Sequence, residues 1–352
     1  MNGSVCSGCH QCRQGPVTAE DDKIKRAIRI HHLGATLMKL TQLRDLVAIV
    51  EHGSLRAAAR HLGVDQPVLT RSVRALEKEL GTPMFERTAS GMTLTQAGQR
   101  FHLRASLIVN ESRRAQDELA QILDEGGGSL TVALSIMPHA GLLPAALPRF
   151  RQRYPRVRLH LIEGLFPDIE SRLRDGSIDF YMGAAPRIAP SSGLRVETLF
   201  RNTRAVVGRK GHPHAGAGSL HELVGAEWAS TAIDHNASED LAHLFARYQL
   251  DPPRVMLQAG SALSLLVALT QTDLLAMLPR QWADFPLTAD TLQIIPVREE
   301  LPAPDMVLIH RAGLPLTPAA EHMVDLLMRF APQQAGPQQG LIAPSGDTAL
   351  SR

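Results

Sequence analysis

Gly53-Ser54-Leu55-Arg56-Ala57-Ala58-Ala59-Arg60-His61-Leu62-Gly63-Val64-Asp65-Gln66-Pro67-Val68-Leu69-Thr70-Arg71 is the stretch on which the fold of this chain turns. Leu55, Ala58, Ala59 and Leu62 recur at helical spacing, and Ser54 precedes them as an N-cap able to accept from the exposed N–H groups of the first turn. Gly63 stops that helix. Asp65 stands as the N-cap of the next, and Pro67 falls in its first turn, where the missing N–H costs nothing. Two short amphipathic helices joined by a tight glycine turn make a helix-turn-helix pattern. In the second helix Leu69, Val73, Leu76 and Leu80 point one way, into a core. Thr70, Arg71, Arg74 and Lys78 form an outward stripe of hydrogen-bonders and cations, which suits a major groove and its phosphates. The bland alternative is the solvated face that any surface helix carries.

Upstream, Leu43, Leu46, Val47 and Val50 predict a helix over 41–52. Downstream, 82–94 reads as a wing, with Met84-Phe85 as an apolar anchor, Ser90-Gly91 as a turn and Met92-Thr93-Leu94 as a short strand. Arg87 is placed equally well on a phosphate or minor groove or in an ion pair with Glu86 or Glu79. From Gln96 to Glu125 the residues Phe101, Ala105, Ile108, Ser112, Ala115, Leu119 and Ile122 step by four and three alternately, the seam of a coiled coil. Packing of that seam against the chain's own domains is the alternative. Gly126-Gly127-Gly128 is a flexible joint and not a phosphate loop, since no strand precedes it and no Lys-Ser/Thr follows.

After Ser129 the pattern changes. Leu130 to Ser135 reads as a buried strand, 141–153 as a helix, 157–161 as a strand with one wetter face, 169–174 as a helix and 178–183 as a strand. Strands at 205–208, 255–257, 274–278 and 306–310 and helices at 241–248, 261–269 and 318–330 follow. Such alternation predicts a parallel sheet with crossover helices. The Pro-, Gln- and Gly-rich tail from Ala331 reads as disordered.

With 352 residues, 44% of them hydrophobic, the chain is long enough for two or three domains with substantial cores. A net charge of +2 makes any nucleic-acid surface a local one. No apolar run approaches the roughly 18 residues of a membrane span, and no signal peptide is visible. A cytoplasmic location without membrane association is expected. All three cysteines, Cys6, Cys9 and Cys12, lie in the first dozen residues. Cys6-Ser7-Gly8-Cys9-His10 spells a haem-attachment pattern, or a zinc site with His10, but reads best as part of an incidental extension over 1–37; neither metal nor cofactor is expected.

The helix-turn-helix series resembles the LysR-type transcriptional regulator family. It is carried by Gly53-Ser54-Leu55-Arg56-Ala57-Ala58-Ala59, Gln66-Pro67, Arg74-Ala75-Leu76-Glu77-Lys78-Glu79-Leu80-Gly81, Phe85-Glu86-Arg87 and Leu94-Thr95-Gln96-Ala97-Gly98. Phe150, Tyr154-Pro155, Val157, Leu159, Glu163-Gly164, Leu173, Gly176 and Asp179 extend the likeness, which covers about 38–330. Within the family, Ser112 to Gln116 and Pro315 to Ala320 are similar to regulators of aromatic sulfonate degradation. The resemblance implies an α/β fold with an N-terminal winged helix-turn-helix, a long linker helix and a two-lobed domain like periplasmic binding proteins, its effector between the lobes. It also implies a homotetramer built as a dimer of dimers, and it maps DNA contacts onto Gln66, Pro67, Thr70 and Arg71. RNA polymerase is the further expected partner. Two departures stand out. Asp65 replaces the family's usual Ser or Ala, and Ser90-Gly91 replaces a wing arginine found in some members.

The expected division is an extension at 1–37, the DNA-reading domain at 38–95, the linker helix at 96–125, the regulatory domain at 129–330 and a tail at 331–352. Lobe I is expected at about 129–200 and 303–330, and lobe II at about 201–302. Ligands of open α/β sheets sit beyond the carboxyl ends of strands. That rule places a small anion, an aromatic carboxylate or sulfonate, near Ser135, Met137, Pro138, His139, Thr203, Ser261, Leu263 and Met277. Ser135 and Ser261 would supply hydroxyls at helix N-termini, or serve only as caps. Signatures of an enzyme are missing. His221-Glu222 lacks the second histidine of a zinc protease, no nucleophile elbow occurs, and His212-Pro213-His214 reads as a solvated turn.

Overall fold

The computed structural model describes residues 38–88, 91–123, 127–231, 237–285, 288–301 and 303–331. The cysteine segment, the Ser90 turn, the end of the linker at 124–126 and the tail beyond Ala331 lie outside them. The chain forms two compact units that divide between Gln99 and Arg100.

In the first unit, α1 (Leu40–His52), α2 (Leu55–Leu62) and α3 (Gln66–Leu80) precede a hairpin of β1 (Phe85–Thr88) and β2 (Gly91–Leu94). Ile49, Ala58, Ala59, Leu69 and Val73 make its core, and alanine in α2 lets the helices approach closely. Ser54 caps α2 as the sequence predicts, its Oγ accepting from the Ala57 N–H at 3.1 Å. Gly63 takes φ +65, the left-handed turn that joins the two helices and that a side chain would strain. Asp65 holds the N-cap position of α3, but its side chain makes no capping bond and is exposed to water. Leu80 departs from the core face and is exposed in the last turn of α3. Glu77 ties the wing to α3, accepting from the N–H of Met84 at 2.8 Å and of Phe85 at 3.3 Å.

The helix α4 (Gln96–Ile122) carries the chain into the second unit. There a five-stranded sheet has the order β4 (Arg158–Glu163), β3 (Ser129–Leu134), β5 (Phe180–Ala184), β12 (Met306–Arg311) and β6 (Leu194–Phe200). Helices α5 (Ile136–Gly141), α6 (Leu143–Arg153), α7 (Glu170–Arg174) and α11 (Pro318–Arg329) belong to this lobe. The other lobe holds an antiparallel sheet of β10 (Ala276–Pro279), β7 (Arg204–Arg209) and β11 (Leu292–Ile295). Beside it run a parallel pair, β8 (Glu227–Thr231) and β9 (Arg254–Ala259), with helices α8 (Ala237–Arg247), α9 (Ala262–Gln271) and α10 (Gln281–Asp284). Trp228 is fully buried there, edge-on to Phe245 at 5.6 Å.

The five-stranded sheet is mixed and the three-stranded sheet is antiparallel, which corrects the parallel expectation. β3 runs parallel to β4 and β5, but β12 is antiparallel to both β5 and β6. The chain leaves the first lobe after β6 and returns only at β12, so the returning strand enters without a crossover helix to set its direction. Strands β6, β8 and β11 were not expected from the sequence. A second correction falls after β3. Ile136 to His139, read from the sequence as a loop leading into the helix from Gly141, are themselves helical, with Ser135 at the N-cap position.

Helix α4 docks on the first lobe through a polar face. Arg114 pairs with Asp179 at 2.8 Å and donates to the carbonyls of Gly176 and Ile178. Asn110 donates to the Asp175 carbonyl, Arg311 pairs with Glu111 at 2.8 Å, and the Gln121 side chain accepts from the Ala319 N–H. Burial pushes the Asp179 carboxyl above its ordinary value against the pull of Arg114, so desolvation sets the balance in this pair. The seam residues Ile108, Leu119 and Ile122 are left 46%, 60% and 62% exposed in the single chain, whereas Ala105 is buried.

Candidate recognition helix and ligand cleft

On α3, Gln66, Pro67, Arg71, Arg74 and Lys78 are exposed together, while Leu69, Val73 and Leu76 are buried beneath them. Thr70 is half-buried and spends its hydroxyl proton on the Gln66 carbonyl at 2.9 Å, leaving its oxygen as an acceptor and its methyl as an apolar contact. Val68 was missed by the sequence reading. It stands exposed beside Gln66 and Pro67, an apolar side chain of the kind that packs on a thymine methyl. Arg87 lies on β1, and its side chain is outside the described residues.

The wing is pressed onto the start of α4 by two residues of the Leu94-to-Gly98 motif. Thr95 donates its hydroxyl to the Pro83 carbonyl at 2.8 Å and accepts from the Gly98 N–H at 3.0 Å. A Cβ on Gly98 would lie 2.1 Å from the Met84 carbonyl oxygen, so only glycine permits this approach.

A cavity of about 70 Å³ lies between the lobes and gathers Ser135, Met137 and Met277, three of the residues expected at a ligand site. Ser135 is buried and free of the capping bond that its position would allow. Gly183 makes room for it, since a Cβ there would lie 2.7 Å from the Ser135 Cβ. Four polar residues that sequence reasoning missed also line it, Asn202, Arg204, Ser230 and Thr231, among apolar neighbours such as Leu165, Leu241 and Met306. Arg204 supplies the positive charge, and its side chain is only 10% exposed.

The other expected residues lie elsewhere. Thr203 faces a separate polar cavity with Arg201 and Arg280. His139 folds back toward the Ser135 carbonyl and, with Leu263, lines an apolar groove of about 560 Å³. Pro138 is buried within α5. Ser261 caps α9, accepting from the Ser264 N–H, and the Glu163 carboxylate already accepts from the next N–H, that of Ala262, at 3.2 Å. The chain's own anion therefore occupies the helix terminus proposed for a ligand. His212, expected as a solvated turn residue, is buried, with its ring nitrogens against the Asp273 carbonyl and the His214 N–H. Among the described residues no cluster of three or more His, Cys, Asp or Glu side chains is placed to hold a metal, and no helix is long and apolar enough to cross a membrane.

A winged helix-turn-helix unit and a two-lobed α/β unit with a cleft that holds an arginine among apolar and hydroxyl side chains define a DNA-binding regulator that carries a small-molecule domain. Residues 40–99 match the family model of the bacterial regulatory helix-turn-helix protein, lysR family, and residues 124–332 match the LysR substrate binding domain. The chain belongs to the LysR family of DNA-binding transcriptional regulators, which is not a family of enzymes. A relative from Pseudomonas sp., the SDS degradation transcriptional activation protein, is 29% identical over 82% of this chain and 95% of its own length. A full-length OxyR variant from Pseudomonas aeruginosa has the same fold, with a TM-score of 0.63 and 22% identity over 83% of this chain and 95% of that one. The LysR family regulator CbnR superposes with a TM-score of 0.61 at 21% identity, over 84% of this chain and 99% of that one.

Proposed function

We propose that this regulator is switched by a small organic anion, an aromatic carboxylate or sulfonate, bound between its lobes. The observation that carries the reading is the largely enclosed Arg204 guanidinium, 10% exposed, in a mainly apolar cleft that also holds the hydroxyls of Ser135, Ser230 and Thr231. A guanidinium offers paired donors to a carboxylate or sulfonate, Ser135, Ser230 and Thr231 offer further donors, and Met137 and Met277 offer adaptable apolar walls. One relative is named for the degradation of SDS, itself an organic sulfate anion.

The path from cleft to DNA runs along two strands. β3 ends at Ser135 and β5 ends at Ala184, both on the cleft. Near the opposite ends of the same strands, Asp179 accepts from the Thr131 N–H at 2.7 Å and pairs with Arg114 of α4. Rearrangement of the lobes on binding thus reaches the linker helix directly. The exposed seam of α4 pairs with a second copy, and the assembly is a homotetramer that reads two-fold DNA sites and meets RNA polymerase in the cytoplasm. In this reading Gln66, Pro67, Thr70 and Arg71 contact bases, and Arg74, Lys78 and Arg87 contact phosphates.

Calorimetry with benzoate and benzenesulfonate, and with benzamide as the neutral control, tests the cleft. The anions should bind the wild-type chain, bind Ser135→Ala more weakly and fail to bind Arg204→Gln. Equal binding by wild type and Arg204→Gln, or binding of the amide alone, refutes the reading.

A further inference from the structure

The charge that the cleft offers is already in use. Asp240, on α8 of the second lobe, accepts from Arg204 at 3.1 Å and from Arg187 through its other carboxylate oxygen. Arg187 lies in the first lobe, between β5 and β6. One carboxylate therefore holds the cleft arginine and bridges the lobes at the same time. Its Arg204 half is partly shielded from water, with Asp240 20% exposed and Arg204 10%, while Arg187 on the other lobe is 53% exposed. The cavity behind it is about 70 Å³, against roughly 300 Å³ or more for ordinary small-molecule sites. Arg187, Arg204 and Asp240 together also line an adjoining cavity of about 460 Å³, and the Arg187–Asp240–Arg204 bridge ties the two lobes together there.

We propose that Asp240 is a built-in competitor of the effector: its carboxylate occupies Arg204 in the ligand-free chain, and an incoming anion takes Arg204 from it and frees the lobes. The inference rests on the cleft reading above and adds the residue that sets its charge selection. An anion replaces Asp240 on Arg204 like for like. A neutral compound of the same shape leaves Arg204 and Asp240 paired, so it gains nothing and cannot release the bridge. Discrimination against neutral compounds thus comes from a group of the protein that must be displaced as well as from the arginine. If Asp240 holds Arg204 in about nine molecules of ten, the apparent affinity for an anion is reduced about tenfold.

The test compares full-length wild type, Asp240→Asn, Arg187→Gln and Arg204→Gln, using benzoate, benzenesulfonate and benzamide as probes. Asp240→Asn keeps the shape and removes the charge, and Arg187→Gln changes an exposed side chain, so thermal melts should show all four chains folded. Asp240→Asn should bind the two anions about tenfold more tightly, a larger gain than any it gives benzamide. Without any ligand, Asp240→Asn and Arg187→Gln should both raise hydrogen–deuterium exchange at 185–192, because each breaks the bridge. Anion binding that is unchanged or weaker in Asp240→Asn but lost in Arg204→Gln overturns the competitor role and leaves the cleft reading standing. Failure of both wild type and Asp240→Asn to bind either anion overturns the two together.

Discussion

Gly98 lies in the first turn of α4, where helix propensity alone favours alanine by up to about 1 kcal/mol. The tertiary structure reverses that preference. The alanine Cβ would lie 2.1 Å from the Met84 carbonyl oxygen and 3.1 Å from a Leu94 methyl, so the first contact is more than 1 Å inside van der Waals separation. The obstacle is backbone and cannot swing away. The Met84 carbonyl also accepts the Thr95 N–H at 3.0 Å, and the displacement that relieves the clash breaks that bond. Overpacking at about 1–3 kcal/mol, together with about 1 kcal/mol for the hydrogen bond, outweighs the helical gain. Gly98→Ala should therefore lose about 1–3 kcal/mol of local stability. Both tryptophans lie in the other unit, so the assay is hydrogen–deuterium exchange of peptides covering 84–98, paired with operator binding. Gln99→Ala, at an exposed position one residue on, should stay within about 0.5 kcal/mol of wild type. Exchange in Gly98→Ala as slow as in wild type, with undiminished DNA affinity, refutes the close-approach argument.

Gln66→Ala and Arg71→Ala should each cost about 1–3 kcal/mol of specific DNA binding, read as a lost preference for operator over random duplex. Arg74→Ala and Lys78→Ala should weaken all duplexes alike and lower the salt slope by about one phosphate each. A charge at Ile108 or Leu119 should leave the melting of the single chain unchanged, since both are exposed in it, yet shift sedimentation to smaller species. An unchanged sedimentation profile removes the seam from assembly. Trp228→Ala empties a fully buried site against Phe245 and should cost about 3–5 kcal/mol in urea unfolding. A loss below about 1 kcal/mol would contradict that packing.

Local chemistry explains why the DNA-reading unit was legible. Ser54 with Ala57, the left-handed Gly63, and the Leu69-Val73-Leu76 face each involve residues within one or two turns of one another, and the structure carries all three. Reading failed where a local rule had a distant competitor. Asp65 sits where a cap belongs but turns its carboxylate to water, and the helix terminus at Ser261 was already taken by Glu163, 99 residues away. The parallel sheet was a rule for chains that stay in one sheet, and this chain leaves and comes back.

The sequence alone determined the helix-turn-helix, the long linker helix and the two-lobed plan, because their signals are spacings and caps that neighbouring residues complete. It also placed Ser135, Met137 and Met277, since the ends of β3 and β10 follow from apolar runs. The tertiary structure alone decided the polar half of the cleft. Arg204 opens an ordinary strand and Asp240 lies on an ordinary amphipathic helix, 36 residues apart in the chain. Only the folding of the second lobe brings them within hydrogen-bond reach and partly shields them from water. A charge acquires functional meaning from its burial and its partner, and neither is a property of the residues beside it in the chain.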